Sequence, residues 1–470
     1  MKRYFGTDGI RGVAGELPMT AAFALHVGIA LAEVFKPTNK DPVKEDSVKE
    51  DSVKEDSVKE DSVKEGRIQM LIGCDTRRSS DMLTHAVAAG LCSRGVDVQL
   101  LGVVPTPAVS YLTRTTDACA GVVISASHNP FEQNGIKVFN AQGGKLTDDV
   151  EQALEDAIDA SLQGQLAIAV VTGKQVGRSS NSTNLKQAYL ESLNSTGPSL
   201  DGLKIALDCA NGACFETAPQ IFEALGAHVT VLNNQPNGDN INVACGSTHP
   251  AAFQAFVKEG TFDVGITFDG DADRAMLVDS KGRLVTGDYI LALCALARGE
   301  TTVVSTVMAN LGLEHFLSKH NINLLRTKVG DRYVHEALEA GELTLGGEQS
   351  GHILFLDQAP TGDGVLTALQ TLAAVQKLGE PLEHWLDAMP LYPQTLVNVP
   401  VDATLKADIA EHALVRTAVE EAETELSGWG RINLRPSGTE PLVRVMVEGS
   451  DATRMHAIAE RVAAAVARVA

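Results

Sequence analysis

Three aspartates at alternate positions, in the run Asp269-Gly270-Asp271-Ala272-Asp273-Arg274, follow directly on the apolar stretch 264–268. Their carboxylates would repel one another strongly at neutral pH unless solvated or gathered round a cation, and hard oxygen ligands select Mg²⁺ or Ca²⁺. An EF-hand loop counted from Asp269 would need Gly at its sixth position and Glu at its twelfth. Arg274 and Ser280 stand there instead. A metal loop and an exposed acidic turn remain the two readings.

A second candidate is Ser125-Ala126-Ser127-His128-Asn129-Pro130, again after an apolar stretch, 121–124. A serine hydroxyl is a poor nucleophile until a base, a cation or a metal relieves its charge, and His128, Asn129 and Lys137 are polar neighbours in the sequence. An ordinary turn sealed by Asn-Pro competes with that reading. In Gly347-Glu348-Gln349-Ser350-Gly351-His352, an extended backbone would project Glu348 and Ser350 to one side, where a carboxylate beside a hydroxyl suits the adjacent hydroxyls of a sugar. The alternative is a glycine-rich turn bonded to its own backbone. Arg435-Pro436-Ser437-Gly438-Thr439-Glu440-Pro441 with Arg444 offers hydroxyls, a turning glycine and guanidinium groups, a cradle for a phosphate dianion or else a hairpin turn. Together the four ask for a nucleophile, a divalent cation, sugar contacts and a phosphate clamp, which describes phosphoryl transfer on a phosphosugar.

Each run must be held by regular elements. Short apolar stretches alternate with helical patterns three times, as in βα units with mainly parallel sheets. Strands are expected at 70–73, 98–101 and 121–124, at 204–208, 228–232 and 264–268, and at 302–305, 324–327 and 343–346. The last eighty or so residues differ: a strand at 395–401, a long helix from 407 to 426, two strands at 431–434 and 442–447 and a closing helix from Asp451 read as a smaller α+β domain. The expected fold is therefore α/β, with three related α/β domains of mixed, mainly parallel sheets and a C-terminal α+β domain. The expected boundaries are 1–180, 181–284, 285–388 and 389–470.

A chain of 470 residues with 44% hydrophobic and 21% charged residues has enough apolar sequence for several cores. Its net charge of −21 argues against nucleic acid or anionic membrane as partner, because both require a positive field. Seven widely scattered cysteines without a Cys-x-x-Cys pair are expected to be buried thiols in a reducing cytosol. No signal peptide begins the sequence and nothing approaches the roughly 18 unbroken apolar residues of a membrane span, so a cytoplasmic location is expected. From Val43 to Glu65 the pentad Val-Lys-Glu-Asp-Ser is written four times and begun a fifth. On a helix that period advances about 140° per repeat, so its valines form no stripe and the segment reads as a solvated insertion.

The sequence resembles the phosphohexomutase superfamily over essentially its whole length outside the pentad repeat. Phe5-Gly6-Thr7-Asp8-Gly9-Ile10-Arg11-Gly12, Cys245-Gly246-Ser247-Thr248-His249-Pro250, Val329-Gly330-Asp331-Arg332-Tyr333-Val334 and the Gly347–His352 run are similar to the phosphoglucosamine mutase branch rather than the phosphoglucomutase/phosphomannomutase branch. That resemblance implies four domains around a central cleft and interconversion of glucosamine 6-phosphate with glucosamine 1-phosphate, through a glucosamine 1,6-bisphosphate intermediate that also acts as activator. It implies that Ser127 carries the phosphoryl group and that Asp269, Asp271 and Asp273 hold one Mg²⁺ together with an oxygen on Ser127. Arg11, His128 and Lys137 would line the transfer centre, with Arg274 beside the metal loop. Glu348 and Ser350 would hold sugar hydroxyls, and Arg435, Ser437, Gly438, Thr439 and Arg444 the substrate phosphate. A homodimer is the family-level expectation. Other readings are a mutase of the same scaffold acting on glucose or mannose phosphates, a metal-dependent sugar phosphatase with Asp269 as nucleophile, and a non-catalytic binding protein.

Overall fold

The structure, a computed structural model, describes residues 3–6, 8–35, 67–166, 171–402, 405–406, 408–437 and 441–470. The pentad repeat, Thr7, Gly438 and Thr439 lie outside the described residues. The chain separates into two compact units, Met1–Ala275 with Gln358–Leu366, and Met276–Asp357 with Thr367–Ala470.

The first unit holds two sheets. In the larger, Gln69–Cys74 lies between Asp97–Val103 and Ala120–Ile124, parallel to both. All five residues of Ala120–Ile124 and of Val264–Phe268 are buried, as strands covered on both faces require. Gln133–Asn140 then runs antiparallel to Ala120–Ile124 and carries on its other edge Gly9–Val13, which itself pairs antiparallel with Phe5–Gly6. This antiparallel flank was not read from the sequence, and it makes the first sheet mixed. Behind it, helix Ala21–Val34 packs buried Phe23, Val27 and Leu31 into the core, its first turn capped by Thr20, whose hydroxyl accepts from the Phe23 N–H. In the second sheet Lys204–Asp208 is flanked by Val264–Phe268 and His228–Leu232, all parallel. The loops at the carboxyl ends of these parallel strands, where α/β sheets bind ligands, supply the candidate chemistry.

In the second unit, Thr302–Thr306 pairs in parallel with Asn323–Thr327 and Leu345–Gly347, and the last of these turns back into antiparallel Ile353–Phe355. The strand expected at 343–346 thus starts two residues later, because Glu342 with φ of 52° still belongs to the preceding turn. A three-stranded antiparallel sheet follows, with Leu442–Gly449 between Gln394–Pro400 and Gly430–Pro436. The long helix expected from 407 begins only at Ala413, after a single tight turn at Ile409–Glu411, and ends at Leu426 as expected. Val415, Ala422 and Leu426 on that helix and Met455, Ile458 and Val462 on Ala452–Ala467 bury one core against the sheet. All seven cysteines are unpaired thiols, five buried and two half-buried. Among the described residues no helix is long and apolar enough to cross a membrane.

Candidate active site

Ser127 sits at the carboxyl end of the Ala120–Ile124 strand in a turn that imposes φ of 53°, a left-handed conformation that few serines adopt. It is buried, and its Oγ donates to Asp269 Oδ2 at 2.7 Å while lying 3.3 Å from His128 Nδ1. The two loops fit this closely because Gly270 has no side chain: a Cβ there would lie 2.5 Å from the Ser127 carbonyl oxygen. Ser127 and the aspartate run, separated in sequence by more than a hundred residues, are therefore one site.

Asp269, Asp271 and Asp273 are all buried, and they can bring one oxygen each within 4.8 Å of the others. Burial, reinforced by the Asp273 and Asp271 charges, holds the Asp269 carboxyl well above the usual carboxylate range. Asp271 Oδ1 is buried without a hydrogen-bond partner among the described residues. Three converging hard oxygens, one of them unsatisfied, fit a divalent cation, since a buried polar atom left unpaired costs about 1–3 kcal/mol. The exposed-acidic-turn reading is excluded by that burial.

Lys137, on the antiparallel strand, brings its Nζ to 2.8 Å from Asp271 Oδ2, 3.2 Å from Asp273 Oδ2 and 2.8 Å from Asp8 Oδ2. Burial alone would lower its pKa, but Asp271, Asp8 and Asp273 hold it well above the ordinary lysine value. Asp8 is in turn held well below the usual range, against its burial, by Lys137, Lys145 and Arg11. Removing one member of so buried a charge set costs about 3–5 kcal/mol, so the ammonium fixes the geometry of the carboxylates around it. Arg11 reaches Asp8 Oδ2 at 2.5 Å and the Ala126 carbonyl at 3.4 Å, beside the serine loop. Arg274 Nε lies 3.8 Å from Asp273 Oδ1, and the Arg274 backbone N–H donates to Asp269 Oδ1 at 3.2 Å. Burial, then the Arg274 and Arg11 charges, push His128 down to about 4, so at neutral pH it is an uncharged imidazole beside the serine.

Sequence reasoning did not find Asp8, Lys145, Thr106 or the pair Asp75 and Arg77. Thr106, the first residue of helix Thr106–Thr115, donates its hydroxyl to Asp271 Oδ2 at 2.5 Å. The only available signal was positional: Asp75-Thr76-Arg77 and Thr106 stand directly beyond apolar strands, as the motifs do.

In the second unit, Glu348–His352 is not extended. It closes a hairpin between Leu345–Gly347 and Ile353–Phe355, with the Gly351 N–H donating to the Glu348 carbonyl at 3.0 Å. The same-side argument for Glu348 and Ser350 therefore fails, and a turn presents them instead. Gly287 permits that turn, since a Cβ there would fall 2.0 Å from the Glu348 carbonyl oxygen. Glu348 Oε1 accepts from the Gly330 N–H at 3.1 Å, and the Ser350 hydroxyl is buried with no hydrogen-bond partner among the described residues. Its unspent donor and acceptor suit a sugar hydroxyl. His352 Nε2 lies 3.7 Å from Asp331 Oδ2, which ties the first residue of helix Asp331–Ala340, and not a loop over 329–334, to this turn.

Arg435 and Arg444 face each other directly in the register of Gly430–Pro436 with Leu442–Gly449. Like charges opposed across strands repel, and burial followed by the Arg444 charge lowers the Arg435 pKa, with Glu348 opposing. Such a pair calls for an anion. Ser437 is buried at the end of the same strand, where its N–H donates to the Leu442 carbonyl at 2.9 Å.

All four domain models described as phosphoglucomutase/phosphomannomutase match in order: domain I over residues 2–44 and 57–165, domain II over 187–282, domain III over 286–392 and the C-terminal domain over 396–465. The chain belongs to the phosphohexomutase superfamily. Among its relatives in that superfamily, the phosphoglucosamine mutase of Deinococcus radiodurans is 52% identical over 99% of this chain and 98% of its own length. Of solved phosphohexomutase structures, a phosphoglucomutase/phosphomannomutase family protein from Burkholderia thailandensis shares the fold with a TM-score of 0.76, at 23% identity over 98% of this chain and 96% of that one. The N-acetylphosphoglucosamine mutase of Aspergillus fumigatus, solved in complex with GlcNAc-6P and magnesium, is similar at a TM-score of 0.59 and 21% identity, over 77% of this chain and 92% of that one.

Proposed function

We propose that this phosphohexomutase interconverts glucosamine 6-phosphate and glucosamine 1-phosphate in the cytoplasm, through a phosphoryl group carried on Ser127. The observation that carries the mechanism is the 2.7 Å hydrogen bond from Ser127 Oγ to Asp269 Oδ2, which puts a nucleophilic hydroxyl on the edge of a cation-binding carboxylate cluster. The hexosamine assignment is supported by the 52% identity to the Deinococcus radiodurans enzyme. The working domains of this reading are 1–180, 181–284, 285–388 and 389–470.

Asp269, Asp271 and Asp273 would hold one Mg²⁺ together with an oxygen on Ser127. When bound, that ion supplies positive charge against the transferring phosphoryl group. Lys137 keeps Asp271 and Asp273 aimed through its two ion pairs, and Arg11 with Arg274 adds cationic charge around the serine. His128, uncharged at neutral pH, can accept or return the proton of the reacting hydroxyl. In the forward direction phosphoserine 127 gives its phosphoryl group to O1 of glucosamine 6-phosphate, and the O1 proton leaves to a base. The 1,6-bisphosphate so formed reorients, its O6 phosphoryl group returns to Ser127, and glucosamine 1-phosphate departs toward UDP-N-acetylglucosamine. Glu348 and Ser350 hold sugar hydroxyls throughout. Arg435, Ser437, Gly438, Thr439 and Arg444 grip whichever phosphate is not reacting.

Turnover of glucosamine, glucose and mannose 6-phosphates, compared at equal enzyme concentration with inorganic phosphate followed in parallel, tests this assignment. The account expects the amino sugar to have the highest kcat/KM and no stoichiometric phosphate release. Preference for a neutral hexose would reassign the substrate, and phosphate release matching turnover would make the protein a phosphatase.

Residues 45–56 fall in the gap of the domain I match, so the pentad repeat interrupts the family pattern. Deleting Val43–Glu65 should leave kcat/KM within about twofold of the full chain, since the repeat lies away in sequence from every candidate site run and changes outside such runs act weakly. Loss of activity in a deletion variant that keeps its melting transition would contradict this.

A further inference from the structure

Every N–H of one fully buried guanidinium is spent beneath the candidate nucleophile. Arg77, whose side chain has no solvent exposure, donates Nε to Asp75 Oδ2 at 2.8 Å. Its Nη2 donates to the Ser127 carbonyl at 2.8 Å and the Asn129 carbonyl at 2.9 Å, and its Nη1 to the carbonyls of Pro130 at 2.5 Å and Gln133 at 3.1 Å. Five donors and five acceptors are matched, which only a planar guanidinium can do. Asp75 is fixed in turn, accepting the Ser125 hydroxyl at 2.6 Å and the Ser80 hydroxyl at 2.9 Å.

We propose that Arg77 is a positioning residue for phosphoryl transfer, holding Ser127 in the left-handed conformation that aims its Oγ at Asp269. The proposal rests on the function proposed above. A left-handed L-residue costs on the order of 1–3 kcal/mol and persists only where its surroundings overdetermine it. Here the overdetermining contacts converge on backbone carbonyls of the loop, and the Ser127 carbonyl is held a second time by Asn242 Nδ2 at 2.9 Å. Relaxing φ would swing that carbonyl off both donors and carry Oγ away from Asp269. With its five N–H groups committed to Asp75 and to loop carbonyls, Arg77 has no donor left for Ser127 Oγ or for the carboxylates of Asp269, Asp271 and Asp273. Its effect on the reaction must therefore pass through the loop.

The test is Arg77→Lys, alongside Asn242→Gly, which tolerates the φ of 60° at that position. A misplacement of about 1 Å costs up to about 100-fold in rate. Arg77→Lys is therefore expected to lower kcat in both directions by about 100-fold, with KM and the Mg²⁺ dissociation constant within about threefold. Asn242→Gly, which leaves Arg77 in place, should lose about 10-fold. Single-turnover transfer from phosphoserine to sugar should slow by the same factors. A folded Arg77→Lys protein with the parent kcat would overturn the proposal, as would a loss that appears wholly in KM or in metal affinity. If Arg77→Lys does not fold, Asn242→Gly with the parent kcat overturns it instead. A parent protein that turns over no hexose phosphate defeats the proposed function itself, whereas an active parent with indifferent variants defeats only the role of Arg77.

Discussion

Replacing Ser127 by alanine should lower mutase turnover by on the order of 10⁴-fold or more, because the change removes the group on which the phosphoryl is carried rather than a helper. The protein should keep its fold. Ser127 Oγ makes two polar contacts, to Asp269 and His128, whereas the loop itself is held through backbone carbonyls by Arg77 and Asn242. Asp269 keeps the hydrogen bond that its Oδ1 accepts from the Arg274 backbone N–H when the serine donor is lost. Steady-state turnover of glucosamine 6-phosphate beside a thermal melt checks both statements. A well-folded Ser127→Ala protein with even a tenth of the parent rate would show that the phosphoryl group travels by another route.

The second large effect concerns the carboxylate cluster. Three buried aspartates within 4.8 Å of one another, with Asp269 pushed well above its usual range, are arranged at an electrostatic cost that a cation would relieve. Lys137 offsets part of that charge, but Asp271 Oδ1 still finds no partner among the described residues. Chelation should therefore abolish turnover, and Mg²⁺ should restore it. Asp271→Asn, which deletes one negative charge and keeps the shape, should weaken Mg²⁺ binding and lower kcat by on the order of 10³-fold, the scale of several kcal/mol of lost charge stabilisation. Calorimetric Mg²⁺ titration and kcat at saturating Mg²⁺ separate these two effects. Full activity in chelator would remove the cation from the account.

What the sequence disclosed, and what it withheld, divides along a physical line. The Asp269–Arg274 loop was legible because its signal is local: an apolar stretch, then carboxylates at alternate positions whose repulsion needs relief. The Ser127 loop was legible as a polar turn beyond a strand, and its resemblance to a known family supplied the role. Contacts made by the chain returning from afar carry no such mark. Lys137 was a polar neighbour in sequence, yet its three-carboxylate setting depends on an antiparallel strand that pairs with both Gly9–Val13 and Ala120–Ile124. Asp8 is one acid among many until Lys137, Lys145 and Arg11 surround it. Arg77 is invisible as a loop anchor because its five partners are backbone or a carboxylate, none of which a side-chain pattern reveals. The choice between an extended run and a turn at Glu348 stayed open for a related reason: whether Gly347–His352 extends or folds back is decided by pairing of Gly347 with Ile353 and by the close approach of Gly287. Helix limits erred where local propensity had to yield to turns, as at Ile409–Glu411.

The central claim is that the phosphoryl group passes between protein and sugar through Ser127. Enzyme carrying a radiolabelled phosphate, located on Ser127 by peptide mass analysis, can be mixed with excess unlabelled glucosamine 6-phosphate and quenched over the course of turnover. The account predicts that label leaves Ser127 at least as fast as the enzyme turns over and reappears in hexosamine mono- and bisphosphate. Label that stays on the protein through many turnovers, or that emerges only as inorganic phosphate, would contradict it.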